Sequence, residues 1–233
     1  MLELAVSRPN PIQERVHIHG ENSPGSDGPE VPKLSLPLEA FVIKVKDGWL
    51  IQSPVDQALK QRLGYEKKAQ PEGGDIDRPR SARAHLVGPG TGHEYMEGIA
   101  HTSQDMNLVY QAAVEEMLRG LREWLIENMP NAPIKLWHRA MSKEEAKVHT
   151  ATGTDYEVLR EVHYKIFLSA PGYESAVLAE VDFEIDSDLE AVPIFDLRVP
   201  DSRYIPLVID AIETRKEKKL AAMKAALAKG KGK

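Results

Sequence analysis

The chain predicts an α+β fold: an antiparallel sheet packed with a long central helix and a C-terminal helix, plus an N-terminal hairpin region. Three patterns carry that reading. Residues 158–168 and 176–186 alternate apolar and polar positions with a period of two. Tyr110, Val114, Met117, Leu121, Trp124 and Leu125 recur at helical spacing. The segment from Pro206 to Lys229 starts with Leu207, Val208, Ala211 and Ile212 and continues as a Lys/Ala run.

In chain order, Pro9, Pro11, Pro24, Pro29, Pro32 and Pro37 forbid a long helix in the first forty residues, and 15–19 reads as a short strand. Phe41 to Ile51 holds an Asp47-Gly48 turn between two strand-forming runs, the signature of a tight hairpin. Ser53-Pro54-Val55-Asp56 offers an N-cap hydroxyl, a proline at the first helical position and an acid in the first turn, so a helix is expected to Leu63, stopping at Gly64. Residues 66–98 are poor in apolar side chains and rich in Gly and Pro, and they read as a loop or linker unable to bury a core face. The central helix starts near Asp105 and is ended by Pro130 and Pro133.

Ile134 to Trp137 then reads as a strand, and Ser142-Lys143-Glu144-Glu145 has capping-box form, predicting a short helix to His149. The two alternating runs form a hairpin in one register. It sets Tyr164 opposite Val181 and Val162 opposite Phe183, and the same register sets Lys165 against Glu180 and His163 against Asp182. A third strand, Ile194 to Val199, follows Pro193 and is placed at or near a sheet edge. The organisation is thus 1–65 as a β-rich N-terminal subdomain with a short helix, 66–98 as a linker, 99–213 as the α+β core and 214–233 as a basic tail.

The 233 residues contain no cysteine, which excludes disulfides, thiol nucleophiles, cysteine-ligated zinc and iron–sulfur clusters. No apolar run approaches the roughly eighteen residues that a membrane helix needs. Met1 to Pro9 lacks the form of a secretory leader, so no membrane partner and a cytoplasmic location (host cytoplasm if viral) are expected. Charge is divided unevenly: residues 214–233 carry eight basic groups against Glu217, a net of +7, so the rest carries −13 of the overall −6.

Glu180, Asp182, Glu184 and Asp186 share a strand face, an arrangement from which a Mg²⁺-dependent phosphoester hydrolase could be built. Carboxylates two residues apart on a strand stand roughly 7 Å from each other, too far to chelate one ion unaided. The solvated face of an antiparallel sheet is the simpler reading. The eight histidines show no metal-binding spacing and read as dispersed over the surface. Gly88-Pro89-Gly90-Thr91-Gly92 lacks the Gly-Lys-Ser/Thr of a phosphate loop. No cofactor, metal or catalytic residue is therefore expected.

Basic groups remain. Arg78, Arg80 and Arg83 in the loop, with Arg215, Lys216, Lys218, Lys219, Lys224 and Lys229 in the tail, are the candidate nucleic-acid contacts, because mobile cations bind DNA or RNA phosphates without a shaped site. Arg15-Val16-His17-Ile18-His19-Gly20-Glu21, then Val31-Pro32-Lys33-Leu34-Ser35-Leu36 and Val55 to Tyr65, resemble the openings of small phage-encoded proteins over residues 14–65. The resemblance implies the company of recombination and single-strand-binding genes and carries over no catalytic residue. Together these features predict a non-enzymatic phage-type accessory protein that contacts nucleic acid through its basic tail. A virion-assembly or scaffold component, self-associating through a long helix, is the alternative beside the hydrolase.

Overall fold

The computed structural model describes residues 18–19, 39–61, 81–104, 106–148, 153, 155–171, 175–185 and 194–230. In chain order the strands are β1 (Ile18–His19), β2 (Phe41–Val45), β3 (Gly48–Pro54), β4 (Ser81–His85), β5 (Ile99–Ser103), β6 (Lys135–Val148), β7 (Asp155–Ser169), β8 (Ala176–Glu184) and β9 (Ile194–Arg198). Helix α1 (Ala112–Asn128) lies between β5 and β6 and is entered through a π-helical turn, Met106–Gln111; helix α2 (Ile205–Gly230) follows β9. The strand order is β1-β9-β8-β7-β6-β3-β2, antiparallel except at β1–β9. The β4–β5 hairpin joins through one parallel bridge, His101 to Val158 of β7. This is the α+β architecture that the alternation and helical spacing predict.

Both helices pack on one face of the sheet. Val114, Met117, Leu118, Leu121 and Leu125 of α1 and Val208 and Ala211 of α2 form one core with Ile51, Ala140, Val162, Ile166, Val181 and Leu197 of the strands. At its centre Phe183 meets Tyr110 and Tyr164 edge-on, with ring centroids 6.2 and 6.1 Å away. The helices cross at Gly120, where a Cβ would stand 2.4 Å from the Ala211 carbonyl oxygen, so only glycine permits that approach.

The β7–β8 register is the one expected: Val162 pairs with Phe183, His163 with Asp182, Tyr164 with Val181 and Lys165 with Glu180. A bulge between Ile166 and Phe167 then shifts the remainder. The N-terminal hairpin forms too, but its two turn residues are Lys46 and Asp47. Gly48 is already paired with Val45, and a Cβ there would lie 2.2 Å from the Ser142 carbonyl oxygen of β6. Its glycine thus serves a close strand approach rather than the turn.

Three expectations are corrected. Ser142 to Val148 is strand, the second half of β6. Ala140, Ser142 and Glu144 are buried while Lys143 and Glu145 are exposed, a period of two that the capping-box reading missed because the inward positions are polar. The Ser142 hydroxyl accepts from Trp49 N–H (3.0 Å) and donates to Glu144 Oε1 (2.7 Å), so it caps no helix. Residues 55–61 are likewise not helical. The Leu59 amide, which in that helix would donate to the Val55 carbonyl, donates instead to the Pro89 carbonyl, while the Val55 and Asp56 amides donate to the Leu136 and Thr91 carbonyls and tie the segment to neighbouring strand and turn backbone. Finally, 81–98 is no linker: Ala84, Leu86 and Val87 are among the most buried core residues.

Candidate functional site: a divided basic helix and a polar cleft

Helix α2 uses its basic residues in two ways. The Arg215 guanidinium donates to Glu116 (2.6 Å) and Glu123 (2.8 Å) of α1, and the Lys218 ammonium to Glu123 (3.2 Å) and Glu127 (2.8 Å). These pairs raise the pKa of both groups, chiefly through the hydrogen bond from Arg215 to Glu116 and that from Lys218 to Glu127. Lys216 and Lys224 are exposed. Helical register sets positions 216, 219 and 224 within an arc of roughly 140° that excludes 211, 215 and 218, while position 229 falls on the latter side. Two of the six candidate tail residues thus clamp α2 to the body. Arg78 and Arg80 lie outside the described residues.

Arg83 is held by β4 and lines a polar cleft of about 170 Å³ with His85, Pro89, Asn107, Leu108, Gln111, Ala112 and Glu115. Its floor is fixed by buried hydrogen bonds. Gln111 Nε2 donates to the His85 carbonyl (3.1 Å) and to the Tyr164 hydroxyl (3.3 Å), which donates to the Leu86 carbonyl (3.1 Å). Burial pushes the Tyr164 phenol well above its usual range; the Gln111 hydrogen bond opposes this and the Glu115 charge adds to it. His85 Nε2 stands 3.1 Å from the buried Glu94 carboxylate. The Glu115 carboxylate fills the space where Cβ atoms of Gly88 and Gly90 would be, 2.0 and 2.3 Å from its oxygens, which is the role of the Gly-Pro-Gly sequence. A histidine–carboxylate pair and a guanidinium could orient a small polar molecule here.

No family model matches the chain, and no curated protein matches it. Site chemistry therefore rests on geometry alone.

Glu180 and Asp182 are neutralised on the sheet face. Lys165 stands 3.2 Å from Glu180, while Asp182 is bonded to His163 (2.6 Å) and to Arg198 of β9. Glu184 is exposed, Asp186 lies outside the described residues, and among the described residues no group of three acids or histidines could hold a metal ion. The histidines are not all on the surface. His101 is buried, His85 nearly so, and His138 on β6 is only 1% exposed with neither ring nitrogen hydrogen-bonded among the described residues. His93 pairs with Asp56 at 2.8 Å. Alternation in Ser81-Ala82-Arg83-Ala84-His85 was the available signal for the cleft, weak because alanine is a poor strand former.

Proposed function

We propose that this protein is a non-enzymatic accessory factor that contacts nucleic acid through the outward lysines of α2. The observation that carries the reading is the division of labour on that helix: Arg215 and Lys218 are spent on α1 carboxylates, whereas Lys216 and Lys224 are exposed on a helix that runs on to Gly230. A rigid cationic arm fixed to a −13 body reaches phosphates while the acidic surface stays back. The phage-type part of the reading rests on the resemblance over residues 14–65.

The test is a DNA titration at graded salt with full-length protein and a variant carrying Gln at Lys216, Lys219 and Lys224. If those three meet phosphates, log affinity falls against log salt with a slope of about −2.7, and the variant loses most binding to unrelated sequences alike. Arg215→Gln leaves the slope unchanged because its charge is already committed. Equal binding by wild type and the three-lysine variant, or none at low salt, refutes the proposal.

A further inference from the structure

Strand β2 ends the sheet on the β3 side, and among the described residues nothing pairs with its outer edge. The opposite end is blunted, since β1 is only two residues long. β2 has no such protection. It reads Phe41-Val42-Ile43-Lys44-Val45, strong strand formers without a proline, and its pairing with β3 runs along the whole strand without a bulge. Lys44, its one charge, is drawn back over its own sheet, with Nζ 4.7 Å from the centre of the Trp49 ring on β3. Hydrogen-bond phase then fixes which backbone groups face outward. The Trp49 amide points to β6, where it donates to the Ser142 hydroxyl, so by alternation Gly48, Leu50 and Gln52 turn their backbone groups toward β2. Their partners Val45, Ile43 and Phe41 are spent on β3, and the N–H and C=O groups of Val42 and Lys44 project from the edge.

We propose that β2 pairs antiparallel with β2 of a second copy of this chain across a two-fold axis at Ile43, joining the two sheets edge to edge. The strand is self-complementary in that register. The outward groups of Val42 and Lys44 in each copy bond those of Lys44 and Val42 in the other, Ile43 faces Ile43, and Phe41 faces Val45. Ile43, 39% exposed, shares its face with Phe41 and Val45, so the pairing covers an apolar row on each copy. The neighbouring registers in the same hydrogen-bond phase lose this match. Centring on Lys44 sets two lysines face to face, and centring on Val42 sets Val45 against Glu39. No α2 lysine takes part, so the pairing does not rest on the nucleic-acid reading.

Sedimentation velocity of the full chain over a concentration series tests this, and a monomer–dimer equilibrium is expected. Ile43→Lys and Ile43→Glu each weaken self-association by at least about tenfold, because two like charges then stand directly opposite in a pair whose Cα atoms are about 4.5 Å apart. An equimolar mixture of the two variants sets lysine opposite glutamate and restores association to within about threefold of wild type. Position 43 is more than a third exposed, so both variants keep a single cooperative melting transition, which separates lost association from lost folding. A monomer at every concentration, the result if another part of this chain covers the edge, overturns the proposal. So does a dimer indifferent to both charges, or a mixture that associates no better than either variant alone.

Discussion

His163 on β7 and Asp182 on β8 stand directly opposite each other, with Nδ1 and Oδ1 2.6 Å apart. Arg198 closes on the other carboxylate oxygen. Burial pushes the Asp182 carboxyl up, but the hydrogen bond from His163 and the Arg198 charge outweigh it, and the group sits below the ordinary carboxylate range. The unfolded chain therefore takes up this proton first as pH falls. The stabilisation is complete above the unfolded carboxylate range and is lost as pH drops through the lower folded value.

Asp182→Asn is accordingly expected to destabilise at pH 7 by about 1 kcal/mol, a figure discounted for partial exposure. That exceeds what a freely solvated sheet face would give. Phe183→Asp, one residue on but facing the core at 1% exposure, is expected to cost at least about 4 kcal/mol or to prevent folding. Denaturant titrations at pH 7 and at pH 3.5 check both, and equal losses would contradict the opposite facing of the two positions.

Gly120 and Arg215 fix the helix pair by different means. Gly120→Ala drives a Cβ to 2.4 Å from the Ala211 carbonyl, backbone against backbone, so the helices must separate; a loss of about 2–3 kcal/mol is expected. Arg215→Gln removes two partly exposed ion pairs and is expected to cost about 1 kcal/mol. Hydrogen exchange should then accelerate in α2 before it does in the sheet. Gly120→Ala with wild-type stability would show that the crossing is looser than this geometry.

What was legible in the sequence is what two independent patterns encode together. The β7–β8 register was readable because apolar and charge pairing agreed on it, and α1 with its entering turn because five of the six marked residues, Tyr110 in the turn among them, are buried. The second half of β6 was not readable, since its inward positions are Ser142 and Glu144, polar groups bonded to each other, with Ser142 also accepting from Trp49 of β3. The helix expected from Pro54 to Leu63, of which residues 62 and 63 lie outside the described residues, failed for a related reason: a local cap signal cannot reveal that the Pro89 carbonyl claims the Leu59 amide. Of the candidate contacts, composition found the lysines of α2, but nothing local distinguishes Lys216 from Arg215. That distinction depends on three glutamates about ninety to a hundred residues away on α1.

His138 supplies the last prediction. It sits in register with Ser53 of β3 and Ile166 of β7, and neither ring nitrogen finds a hydrogen bond among the described residues. Burial, with a smaller contribution from the charge of His93, lowers its pKa from 6.5 to about 3. The folded protein thus keeps the ring neutral while the unfolded chain takes up a proton below pH 6.5. Since the unfolded state binds more protons across that interval, stability is full above pH 6.5 and falls as pH drops toward 3. Between pH 6.5 and pH 5 the loss from this one group amounts to about 2 kcal/mol. The acid loss from Asp182 sets in only once pH falls into the ordinary carboxylate range, so the two windows are separable. His138→Leu keeps the site filled and removes both the titration and the unpaired ring nitrogens. Its stability should vary less with pH between 6.5 and 5, and at pH 5 it should exceed wild type by about 2 kcal/mol or more. Parallel stability profiles for the two proteins over that range would mean that His138 reaches water or a proton partner in the folded state.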